Sequence, residues 1–120
     1  MTSFIRLATL SACLAFPFAT AEARTTTYDG AWSLVFVTER GACDPQYSFN
    51  VNINNGIVTH PNIIHFHGVV GANGSVRASV TVHEKRATGS GKLSGNTGRG
   101  AWSGSSGSSR CSGYWTAQKG

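Results

Sequence analysis

Acidic residues are scarce in this chain of 120 residues: five Asp and Glu stand against ten Lys and Arg. Glu22, Asp29, Glu39, Asp44 and Glu84 are far apart in sequence. No two of them sit at a spacing suited to paired acid–base work. A G-x-S-x-G nucleophile elbow is also missing. Nowhere do apolar residues recur with a helical period. Past the N-terminal segment, no stretch approaches the ~20 apolar residues of a membrane-spanning helix. Cysteine is rare, with three residues in all, Cys13, Cys43 and Cys111. These absences remove the usual carboxylate, serine and thiol catalysts, and a non-enzymatic role is expected.

What is present begins with an export-type leader. Met1 to Arg6 carries one positive charge, Leu7 to Phe18 is apolar, and Ala19-Thr20-Ala21 and Ala21-Glu22-Ala23 are overlapping small-x-small motifs. That order is the signature of a secretory signal peptide over residues 1–23. Leu10-Ser11-Ala12-Cys13 resembles a bacterial lipobox, which makes a lipid anchor at Cys13 the alternative to cleavage. The expected organisation is a signal over 1–23, a flexible lead-in over 24–29 and one domain over 30–120. The expected location is periplasmic or extracellular. Cys43 and Cys111 are then an even pair in an oxidising compartment, and a disulfide between them is expected.

The body of the chain reads as all-β. Fifteen glycines, many serines and short alternating runs predict eight strands, near 31–39, 47–54, 57–60, 63–70, 75–83, 87–94, 99–104 and 111–117. Asn55-Gly56 is a two-residue hairpin signal, which pairs Ile53 with Val58 and Val51 with His60. Tyr47, Phe49, Val51 and Ile53 then share the inner face. A three-residue loop, Ala72-Asn73-Gly74 with Gly74 left-handed, pairs Ile64, Phe66, Gly68 and Val70 with the face carrying Val76, Ala78, Val80 and Val82. A one-residue slip would put His65 and His67 on that face instead.

Further on, Gly89-Ser90-Gly91-Lys92-Leu93-Ser94-Gly95 and Gly98-Arg99-Gly100-Ala101-Trp102-Ser103-Gly104 form a tandem G-x-G-x-(L/W)-S-G repeat. Pairing Gly95 with Gly98 sets Gly91 opposite Trp102 and Leu93 opposite Gly100. Pairing Gly104 with Cys111 sets Gly113 opposite Trp102 and Gly100 opposite Trp115. Glycines facing indoles let large side chains share a small interior. An antiparallel meander of eight strands closes as an up-and-down barrel, which removes exposed edges. Closure brings the end of the first strand to the start of the last, where Cys43 and Cys111 lie.

The remaining chemistry is sparse. His65-Phe66-His67 projects two imidazoles from one face, and His83 falls diagonally across the hairpin from His65. These three are the candidate Zn or Cu ligands, with no other cofactor in view. His60 and the three tryptophans, Trp32, Trp102 and Trp115, either fill the barrel as core or line a ligand lumen, since eight strands permit both. Beyond the leader, nine cations and four acids leave a net charge of +5. That field favours anionic surfaces or glycans. The basic residues are scattered in sequence and do not form the stripe with stacking aromatics that nucleic-acid binding needs.

Tyr28-Asp29-Gly30-Ala31-Trp32-Ser33, Gly41-x-Cys43-Asp44 and Cys111-Ser112-Gly113-Tyr114-Trp115-Thr116-Ala117 resemble a family of small exported bacterial domains with G-x-W-S, G-x-C-D and C-S-G-x-W-x-A motifs. The resemblance implies a β-rich exported module with no settled activity; such chains are at times associated with haem utilisation or adhesion. Gly30-x-Trp32-x-Leu34 and Cys43 are also similar to the periplasmic metalloprotease-inhibitor barrels. In those barrels the second cysteine lies close by, whereas here it is near the far end. Together these readings lead to an exported, non-enzymatic β-barrel that binds a small ligand, a glycan or a protein. A protease inhibitor acting through the lead-in and a metal- or haem-associated binder are the alternatives.

Overall fold

Turns with positive φ set the registers of this fold. In the computed structural model, which describes residues 25–63 and 65–120, eight strands follow one another. They are β1 (Gly30–Arg40), β2 (Gln46–Asn54), β3 (Ile57–Thr59), β4 (His65–Val70), β5 (Ser75–Val82), β6 (Lys85–Ser94), β7 (Thr97–Ser106) and β8 (Ser109–Lys119). Each pairs antiparallel with the next, and β8 returns to β1 to close a barrel. The expected signal segment, Cys13 and Arg24 lie outside the described residues, as does Ile64. Among the described residues no helix is long and apolar enough to cross a membrane.

Asn55 and Gly56 both have positive φ, 55° and 76°, the backbone of a type I′ turn, whose twist matches that of its strands. Ile53 accordingly pairs with Val58. Past β4 the Gly71 N–H donates to the Ser75 carbonyl at 2.8 Å, which leaves a three-residue loop, Ala72 to Gly74, with Gly74 at φ 88°, so Val70 meets Val76 and Phe66 meets Val80. His65 and His67 face outward opposite Thr81 and Ser79, as that register requires.

Two expected registers are corrected. β3 ends at Thr59, so the pairing of Val51 with His60 does not form and His60 stands in the loop beyond the strand. The β6–β7 turn is Gly95-Asn96, with Gly95 at φ 62°, and Ser94 pairs with Thr97. Leu93 therefore faces Gly98, Gly91 faces Gly100 and Gly89 faces Trp102, two residues away from the expected alignment. A shift of two preserves which face each side chain takes. On the other side of β7, Trp102 lies opposite Gly113 and Gly100 opposite Trp115, as expected.

The inner face is apolar and the outer face is largely hydroxyl, amide and charge. A membrane-spanning barrel needs the reverse. Trp32, Val51, Ile53, Val58, Val70, Val76, Leu93 and Ala117 pack one end of the barrel. The end is completed by the chain before β1. Tyr28 is buried there, and its carbonyl accepts the Trp32 indole N–H at 2.7 Å. The Asp29 carboxylate accepts the backbone N–H groups of Asn55 and Gly56 at 2.9 and 3.4 Å. A freely flexible lead-in is thus corrected at Tyr28 and Asp29, which are fastened to the barrel. Asp29→Ala should lower the unfolding free energy by about 1 kcal/mol, since it strips acceptors from two N–H groups at a surface turn. Urea titration checks this, and an unchanged midpoint would mean that water replaces the carboxylate at no cost.

Candidate functional site

The opposite end of the barrel is built differently. There the β1–β2 and β3–β4 connections are long, and the disulfide between Cys43 and Cys111 ties the first of them to β8, with Cα atoms 6.1 Å apart. This loop is further held by Thr38, whose Oγ1 donates to the Asp44 carbonyl at 2.6 Å and whose N–H donates to the Pro45 carbonyl at 2.9 Å. In the β3–β4 loop, His60 Nδ1 accepts the N–H groups of Asn62 and Ile63 at 3.0 and 3.1 Å. The β1–β2 loop and the His60 to Ile63 part of the β3–β4 loop are therefore held by hydrogen bonds.

The three tryptophans are core residues. Each is buried, and each indole N–H is satisfied by a backbone carbonyl: Trp32 by Tyr28, Trp102 by Val37 at 3.1 Å and Trp115 by Ser90 at 3.2 Å. Buried indoles need such partners. The middle of the barrel keeps a cavity of about 50 Å³, with Trp32 and Trp115 among its lining residues.

Open space lies at the mouth. An apolar depression of about 280 Å³ is walled by Phe36, Phe49, Ile63, Val80 and Trp102, with Tyr47 at its side. The aromatic rings brace one another. Phe36 meets Phe49 edge-on at 5.6 Å between centroids and Trp102 at 6.1 Å. His60 packs between Phe49 and Phe66, at 6.0 and 6.2 Å. Phe36, Phe49, Ile63 and Val80 are only partly buried, so their apolar faces meet solvent in the mouth. Lys85 and Arg86 stand on its rim. No carboxylate lines it among the described residues.

Of the residues singled out in sequence, Trp102 forms part of this wall and His60 braces it, while Trp32 and Trp115 lie deeper. His65 and His67 are exposed on the outer face of β4 and do not line the mouth. His83 does not complete their face. It is the first residue of a two-residue turn, with φ 56°, because Val82 already pairs with Lys85. No group of three or more His, Cys, Asp or Glu among the described residues is placed to hold a metal ion.

Sequence reasoning put Phe49 and Val80 on the inner face but did not single out Phe36, Phe49, Ile63, Val80, Lys85 or Arg86 as site residues. The available signal was the length of the loops at this end together with apolar Ile63 inside one of them. Searches of family models, curated proteins and solved structures found no match to this chain.

Proposed function

We propose that the protein is an exported binding protein that takes a small apolar molecule carrying an anionic group into the mouth of the barrel. The observation that carries this reading is the partly buried aromatic depression with two cations on its rim. Ligand sites are concave, mostly apolar and furnished with a few polar groups that fix orientation. The mouth has that character at the small end of the usual size range. Its walls bring no carboxylate to a bound molecule, which supports binding over turnover. The disulfide fits an oxidising compartment, in line with the export leader. The inhibitor alternative calls for an ordered or protruding N-terminus; Tyr28 and Asp29 are ordered against the far end of the barrel, so it stands as the second reading.

Decanoate is a suitable probe, read by intrinsic tryptophan fluorescence because Trp102 is in the wall. Filling the mouth with Val80→Trp should abolish binding. Lys85→Gln should weaken decanoate roughly fivefold and leave decanol unchanged, as expected for one solvent-exposed ion pair. Equal binding by the parent and Val80→Trp, or none by the parent, would overturn the proposal.

A further inference from the structure

From Lys85 to the last residue the chain contains no Asp or Glu, yet it carries Lys85, Arg86, Lys92, Arg99, Arg110 and Lys119. These cations are dispersed in sequence, and the barrel gathers four of them. Arg86, Ser105 and Arg110 are successive partners across β6, β7 and β8. Lys92 lies directly opposite Arg99. Arg77 on β5 begins a row that continues through Ser90 and Ala101 to Tyr114. Their neighbours along each strand point into the barrel, so these side chains point out. Arg77, Arg86, Lys92, Arg99 and Arg110 are all exposed.

Between the cations the outer surface is shallow, because its side chains are small. One groove is lined by Arg40, Arg86, Arg110 and a set of serines. It shares Thr88 and Ser103 with a second, which holds Arg77 and Ser90. A third follows at the far end, with Lys92, Arg99, Tyr114 and Thr116. Arg86 and Lys92 are six residues apart on β6, which is about 20 Å of extended strand. The result is a hydroxyl-floored trough along β6 and β7 with cations at both ends and beside its middle. Lys92 facing Arg99 is unfavourable for the fold, since like charges directly opposed across strands repel. An anion lying between them would relieve that repulsion.

We propose that this trough is a binding surface for an acidic polysaccharide, separate from the mouth except at Arg86, which borders both. Carboxylate or sulfate groups along such a chain would meet the guanidinium and ammonium groups. Sugar hydroxyls would exchange hydrogen bonds with Thr88, Ser90, Ser103 and Ser105. Tyr114, 42% exposed, offers one ring face beside the trough. A single-stranded nucleic acid requires a series of stacking platforms, and this face presents one. A lipid surface would call for apolar side chains projecting from the trough, whose floor is hydroxyl.

Polygalacturonate is the probe, titrated by calorimetry at low and high salt, with neutral dextran, an oligothymidylate and phosphatidylglycerol vesicles alongside. Polygalacturonate should bind, weaken as salt screens the charges, and exceed the other three. Lys92→Gln/Arg99→Gln should lose on the order of tenfold in affinity. A Ser48→Glu/Asn52→Glu variant lowers the net charge equally on the outer face of β2, and should change affinity by less than about twofold. Thermal melting of both variants confirms folding; removing a like-charge pair should not destabilise. Equal losses in the two variants would reduce the effect to net charge and overturn the assignment. So would absent polygalacturonate binding, or tighter binding of the oligonucleotide or the vesicles. Decanoate binding should be unchanged in Lys92→Gln/Arg99→Gln, and its loss would merge this surface with the mouth and overturn their separation.

Discussion

Replacing both Cys43 and Cys111 by serine should lower the unfolding free energy by about 4 kcal/mol, the chain-entropy value for a loop of this length. The two residues are 68 apart in sequence, so the open chain gains a large loop-closure entropy. The location adds to the effect. β1 and β8 form the seam that closes the barrel, and their register shifts between Thr38 and Arg40, beside the bridge. Regular pairing along this seam is interrupted beside the covalent link. For a domain with about 5–15 kcal/mol in total, a loss of this size is a large share. Urea unfolding of the parent, the reduced parent and the double serine variant measures it. Since the bridge also positions the β1–β2 loop at the mouth, decanoate affinity should fall even where the serine variant remains folded. Coincident unfolding curves would show that hydrogen bonds alone hold the seam.

The fold was legible where turns have strong local chemistry. Asn55-Gly56 demands positive φ at both positions, which few residue pairs tolerate, so the β2–β3 register could be read directly. The β4–β5 register was legible for a second reason: only one alignment buries Phe66 and Val70 while leaving His65 and His67 in water. In the glycine repeat, parity was legible and alignment was not. Gly89, Gly91, Gly98 and Gly100 are interchangeable by residue type, so a slip of two alters no burial pattern. His83-Glu84 left no signal at all. A histidine in the left-handed region is uncommon, so a strand continuing through His83 was the natural reading, and the metal face drawn from it followed.

The sites were less legible than the fold, because they arise from closure. Phe36 and Trp32 are both inward-facing on β1, and nothing in their spacing says that Trp32 is sealed under Tyr28 while Phe36 meets solvent. That difference comes from which loops end up at which end. The trough cations Arg77, Arg86, Lys92, Arg99 and Arg110 are likewise separated by 6 to 11 residues along the chain. Hairpin pairing returns Arg110 to the level of Arg86, and Arg99 to Lys92. Dispersal in sequence thus becomes a row of cations on the outer face.

Gly91→Val should destabilise the protein by about 3 kcal/mol, at the upper end of the usual overpacking cost. The sequence reading set Gly91 against Trp102, and the structure sets it against a different indole. A Cβ at Gly91 would lie 2.5 Å from Trp115 Cζ2 and 2.6 Å from the Gly100 Cα, and would also press on the Arg99 carbonyl. The indole has little room to yield. Trp115 is 4% exposed, and its N–H is spent on the Ser90 carbonyl. Gly100 lies against the same ring, with a Cβ there 2.6 Å from Cε2, so Trp115 rests across a pair of glycines. Steric conflict, and not lost backbone freedom, sets the expected cost. Gly71→Ala separates the two causes: its Cβ would come no nearer than 3.4 Å to another group, the Asn73 side chain, and it should cost less than about 1 kcal/mol. Combining Gly91→Val with Trp115→Phe should recover part of the loss, because a smaller ring vacates the space that valine needs. A double-mutant cycle measured by urea unfolding reads that coupling. Additive losses would mean that Gly91 and Trp115 do not compete for the same volume, and that the packing of this barrel rests on other contacts.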